Sequence, residues 1–159
     1  MKRTILLAAA LCALLVAPVA RAAVVMPSFA LPAAVGGQVV ASETYRGRAV
    51  LITFFATWCP SCLQEIPTLK QLQAKYGEKG FAVVALSVDE GGTAAVARLV
   101  EQAGITYPVL MADSATTRVF GIVVAVPTSF LVNRSGHVVK KYPGPMPRTL
   151  LERDIAAVL

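Results

Sequence analysis

Val50-Leu51-Ile52-Thr53-Phe54-Phe55-Ala56-Thr57-Trp58-Cys59-Pro60-Ser61-Cys62 sets two thiols three residues apart behind an apolar run. A run that is apolar almost throughout predicts a strand covered on both faces by helices, and a helix is predicted to open at Cys59. Residues i and i+3 of a helix share one face, so the two sulfurs can close a small disulfide ring with little backbone movement. The first thiol then stands at a helix N-terminus, where unpaired N–H groups and the helix dipole favour a thiolate. Two-electron thiol–disulfide exchange follows from that arrangement.

Downstream, Leu63, Ile66, Leu69 and Leu72 recur at helical spacing, which carries the helix to about Tyr76 with Gly77 closing it and Pro67 expected to kink it. A second buried strand is predicted over 81–88 and a second helix over 93–102, ended by Gly104. Alternating strand and helix predicts parallel strands joined by right-handed crossovers. The pattern changes after Tyr107-Pro108-Val109-Leu110 and a short helix near 115–120. Strands over 128–132 and 137–141 flank Asn133-Arg134-Ser135-Gly136, a hairpin signal that makes the sheet mixed. Pro147 is expected in the first turn of a last helix. Residues 23–37, rich in Pro, Gly and Ala, read as a loose lead-in with a short hairpin at 36–40.

The chain opens with Lys2-Arg3, an apolar run over 5–20, and Ala20-Arg21-Ala22, the layout of a secretory signal cleaved after Ala22. The competing reading is an uncleaved membrane anchor, against which the run is short of the roughly 20 residues that span a bilayer and contains Pro18. A lipoprotein signal is disfavoured by Leu11 before Cys12. The 159 residues less the first 22 leave 137, which suits one domain over 23–159. The formal charge of +6 falls to +3 with the loss of Lys2, Arg3 and Arg21, too little and too scattered for nucleic acid. Cys12 leaves as well, so one C-x-x-C pair remains, with no other cysteine for a structural disulfide or a four-thiolate zinc site. His137 is the only histidine, and the pattern calls for no metal and no cofactor.

These features resemble the thioredoxin superfamily and, within it, the exported TlpA/ResA-like branch, over nearly all of 27–158. The resemblance rests on the Trp58-Cys59-Pro60-Ser61-Cys62 motif, on Pro67 five residues after the second cysteine, and on Val126-Pro127-Thr128-Ser129-Phe130-Leu131, which is similar to the family's cis-proline segment. The stretch Val84-Ala85-Leu86-Ser87-Val88-Asp89, a helix, and Tyr107-Pro108-Val109-Leu110 resemble the branch's central insertion. It implies an α/β thioredoxin-like fold, with a central mixed β-sheet flanked by helices and that insertion included.

The resemblance also implies roles. Cys59 would attack and Cys62 resolve, Pro60 and Ser61 would tune the potential, and a cis bond at Pro127 would turn the Val126 backbone toward a substrate strand. Trp58 either shields the nucleophile and offers a contact surface or packs in the core. Thr53 stands where thioredoxin carries a buried acidic residue, and Glu65, matching an acidic position of ResA-like reductases, is its candidate replacement in proton transfer. Otherwise Glu65 is a helix-start carboxylate facing water. Implied partners are client proteins bearing thiols or disulfides, with apocytochrome c or copper-site proteins as classes, and a membrane dithiol electron donor; the place is the periplasm or its extracytoplasmic equivalent. The leading function is a reductant. An oxidant lacks support because Ser61 replaces the histidine such enzymes use; a peroxidase is disfavoured by Ala56; a copper-delivery module would need a wider C-x-x-x-C pair and a distal histidine.

Overall fold

The computed structural model describes residues 24–123 and 125–159, so the export-signal reading of 1–22 lies outside it. Elements follow in the order β1 (Val24–Val25), β2 (Ala30–Pro32), β3 (Val39–Ala41), β4 (Ala49–Phe55), α1 (Pro60–Tyr76), β5 (Phe81–Ser87), α2 (Thr93–Gln102), β6 (Val109–Met111), α3 (Ser114–Val119), β7 (Thr128–Val132), β8 (His137–Pro143) and α4 (Arg148–Ala156). Six strands form one mixed sheet in the order β1-β8-β7-β4-β5-β6, with β4, β5 and β6 parallel and the other pairings antiparallel. This is a thioredoxin-like fold, with the β5-α2-β6 unit placed where the sequence predicts an insertion.

Every residue of β4 and β5 is buried, which explains their unbroken apolar sequences. Side chains alternate across the sheet. Leu51 and Phe55 face one layer, built on Leu69, Leu72 and Tyr76 of α1, Val96 of α2 and Leu151 and Ile155 of α4. Each such side chain contributes on the order of 1.5–3 kcal/mol by leaving water. Val50, Ile52 and Phe54 face the other layer, and here the expectation of helical cover is corrected. Phe29, Leu31 and Tyr45 from the chain before β4 supply much of the cover, joined by Phe120 after α3. The lead-in is therefore a structural layer: β1 pairs with β8, β2 and β3 form an antiparallel hairpin, and Ala33 bridges to Leu110 of β6.

Three boundaries also differ from the sequence expectations. Cys59 is the N-cap of α1, with Pro60 at the first helical position, where its missing N–H costs nothing. Gly77 stays right-handed and leads into a 3-10 turn over Gly77–Lys79; the left-handed reversal is at Gly80, φ +87°. Pro147 caps α4 from outside with ψ 135° instead of entering its first turn. Pro67 lies inside α1, which runs unbroken through it.

Candidate active site

β4 ends at Phe55, and after four intervening residues the chain enters α1, which places the cysteines at the C-terminal edge of the central parallel strands. Cys59 and Cys62 are joined in a disulfide with Cα atoms 5.3 Å apart. Cys59 Sγ accepts the backbone N–H of Cys62 at 3.2 Å, so the helix end itself solvates that sulfur. Ser61 Oγ stands 3.5 Å from the same sulfur. Both contacts favour negative charge on Cys59 once the pair is reduced, and Cys62, a turn inside the helix, has no such advantage. Accessibility does not separate the two in the oxidised state: they are 5% and 3% exposed. Backbone position is what distinguishes them.

The Val126–Pro127 bond is cis. Its loop is held by the Thr128 hydroxyl donating to the Ala125 carbonyl at 2.7 Å and by Gly144 N–H donating to the Pro127 carbonyl at 2.9 Å. The Val126 carbonyl oxygen lies 3.6 Å from Cys59 Sγ. Phe120, upstream of this loop, packs edge-on against Phe54 of β4 and Phe130 of β7, with both ring centroids 5.3 Å away. Such pairs contribute about 0.5–1.5 kcal/mol each beyond their burial, and they tie the segment that leads into the loop to the strand that leads to the cysteines. Trp58 is 69% exposed, which removes the core-packing reading and leaves an apolar face beside Cys59.

Glu65 is half-buried, not turned out to water. It shares with Cys62 a cavity of about 10 Å³, also lined by Thr53, Phe55, Ile105 and Tyr107; that is room for about one water molecule. Burial pushes the Glu65 carboxyl above the ordinary carboxylate range, and the Met146 N–H, donating to Oε1 at 2.9 Å, opposes the shift. Across the cavity, burial and then the Glu65 charge raise the Tyr107 phenol far above its ordinary value. Thr53, opposite Ser129 in the β4–β7 register, accepts the Ser129 hydroxyl at 2.9 Å. A hydroxyl pair thus occupies the floor where the resemblance leads one to look for an acid. Among the described residues no three His, Cys, Asp or Glu side chains cluster to hold a metal, and His137 belongs to β8.

Two contributors escaped the sequence reading. Asp89, beyond β5, accepts the Thr57 backbone N–H and hydroxyl and the Ser87 hydroxyl, thereby fixing the turn two residues before Cys59. Tyr107 entered only as part of a family segment, with nothing in its spacing to connect it to Glu65.

Residues 21–159 match the Redoxin family. The thiol-disulfide oxidoreductase ResA of Bacillus thuringiensis is 32% identical over 123 residues, covering 77% of this chain and 70% of that one. A thiol:disulfide interchange protein of the thioredoxin family from Chlorobium tepidum superposes with a TM-score of 0.79 at 33% identity, covering 86% of this chain and 96% of that one. With the C-x-x-C disulfide at a helix N-cap, facing a cis-proline loop on this sheet, the chain belongs to the Redoxin family, as a TlpA/ResA-like member of the thioredoxin superfamily, and is a protein thiol–disulfide oxidoreductase.

Proposed function

We propose that the protein works outside the cytoplasm as a reductant of selected client proteins, with residues 1–22 as its export signal and 23–159 as the working domain. The observation that carries the reading is the meeting of Cys59 Sγ, the α1 N-terminus and the Val126 carbonyl within one contact distance. The Cys59 thiolate attacks one sulfur of a client disulfide; that S–S bond breaks and the client's other sulfur leaves as a thiolate. Cys62 then gives its proton to Glu65, attacks Cys59 Sγ, and releases the client's second thiolate. The client gains two electrons and the Cys59–Cys62 disulfide forms. A membrane dithiol carrier returns two electrons to it. The backbone at Val126, beside the cis bond, pairs with the client strand, and Trp58 supplies an apolar contact beside it. Apocytochrome c and copper-site proteins, which need free thiols before they take their cofactors, are the client classes in view.

Direction is read from Ser61. It leaves the Cys59 thiolate without a cationic neighbour at that position, so the dithiol form is not unusually stabilised and the disulfide is the stable end state. A redox titration against glutathione tests this: the potential is expected nearer the roughly −270 mV of thioredoxin than the −120 mV or so of a strong oxidant. Ser61→His is expected to raise it by tens of millivolts, since about 30 mV corresponds to tenfold in the equilibrium constant. A wild-type value above about −150 mV makes the protein an oxidant instead.

A further inference from the structure

The edge of the sheet remote from the cysteines, where β4 begins, carries a cleft of about 490 Å³ lined by Arg46, Arg48 and Arg134 together with Glu43, Tyr45 and Met26. Arg46-Gly47-Arg48 turns into β4 through Gly47 at φ +77°, and Arg134 comes from the turn between β7 and β8. Two of the guanidiniums are fixed by carbonyls. Arg48 Nη2 donates to Gly77 and Phe81, and Arg134 Nη2 to Lys79 at 2.8 Å. Carbonyls orient a guanidinium without neutralising it. Arg48 Nε is buried with no acceptor at all. Among the described residues none of the three is ion-paired, even though Glu43 lines the same cleft. Burial raises the Tyr45 phenol while the neighbouring Arg48 charge acts against it, so that charge is felt within the lining.

Three cations around one concavity create a positive potential that its low-dielectric walls focus. The guanidinium fork matches the spacing of phosphoryl oxygens and stays charged at any physiological pH. We propose that this cleft binds a phosphate-class anion through Arg46, Arg48 and Arg134, as a site separate from the cysteine pair. Its source is either a free phosphorylated compound or a phospholipid headgroup.

The test titrates the purified full chain with pyrophosphate at low ionic strength by calorimetry. A parallel arm floats it on phosphatidylcholine vesicles with and without phosphatidylglycerol. Arg46 and Arg134 are exposed, so Arg46→Gln/Arg134→Gln is expected to fold and exchange disulfides as the wild type does. It should weaken binding about tenfold or more, the scale of losing charge-assisted hydrogen bonds. Glu43→Gln should strengthen it severalfold by removing the one carboxylate in the lining. The charge-matched control Arg98→Gln/Arg118→Gln, exposed elsewhere, should leave it unchanged. Binding in the pyrophosphate arm identifies a soluble ligand and phosphatidylglycerol-dependent flotation a headgroup; either sustains the proposal. Absence of binding in both arms, or equal loss in the control variant, overturns it.

Discussion

Asp89 grips Thr57 at two points, its carboxylate accepting the backbone N–H at 3.0 Å and the hydroxyl at 2.5 Å. The carboxylate also accepts the Ser87 hydroxyl at 2.7 Å, so one side chain connects the end of β5 to the turn that delivers Trp58 and Cys59. Asp89→Asn keeps the shape but leaves one acceptor oxygen for three donors. The oxidised variant should lose about 1–3 kcal/mol, the cost of unpaired polar groups. That lowers the thermal midpoint by roughly 2–4 °C per kcal/mol for a chain of this size. Disulfide exchange should slow alongside it. An unchanged midpoint would mean that the turn holds its geometry without Asp89.

Two carboxylates should act on stability in opposite directions as pH changes. Burial raises the Glu65 carboxyl, so the folded state holds that proton more tightly than the unfolded chain; its contribution is full below the ordinary carboxylate pKa and is lost as pH rises through the raised value. Asp154 is held down to about 2 by the Lys140 ammonium first and then by hydrogen bonds from Tyr142 and Arg153. Its contribution is present above the unfolded pKa and is lost as pH falls toward 2. Denaturation of Glu65→Gln and Asp154→Asn across pH should therefore show the first variant gaining on the wild type above about pH 4.5 and the second gaining on it in acid. Parallel curves for wild type and variant would contradict either assignment.

Glu65 shares a cavity the size of one water with Cys62, which suits it to take the proton that Cys62 must lose before resolving a mixed disulfide. Glu65→Gln keeps an acceptor for the Met146 N–H and removes the titrating group. Resolution followed by rapid quench should slow by about a hundredfold near neutral pH, the low end of what a positioned acid–base group contributes, and its pH profile should change. Tyr107→Phe, which leaves Glu65 in place, should resolve with a smaller change. A wild-type profile from Glu65→Gln over pH 6–9 would assign the proton to solvent.

What could be read from the residues was what local chemistry dictates. The apolar run of β4, the cysteine pair and the repeat of Leu69 and Leu72 declare strand, site and helix within a few residues of one another. Glu65 and Pro127 needed the family pattern as well, because a single acidic residue on a helix, here in the second turn, and an X-Pro bond each have commoner explanations. Asp89 was hidden by distance, lying 32 residues from the Thr57 it holds. The lead-in was hidden by composition: Phe29, Leu31 and Tyr45 cover a face of the sheet without any helical or strand period long enough to announce it. Cys59 as a cap and Gly80 as the reversal differ from the expectations by only a few residues, where capping and turn geometry decide the boundary.

The claim on which the account depends is that Cys59 attacks and Cys62 resolves, and trapping tests it most directly. Each single serine variant is reduced, mixed with a disulfide-bearing client and resolved on a non-reducing gel with quantification by mass spectrometry. Cys62→Ser should accumulate a covalent adduct through Cys59, because the α1 N-terminus still stabilises the attacking thiolate while nothing releases it. Cys59→Ser should yield none and exchange at background rate. An adduct formed by Cys59→Ser and not by Cys62→Ser would contradict the order of attack and with it the role assigned to the helix end.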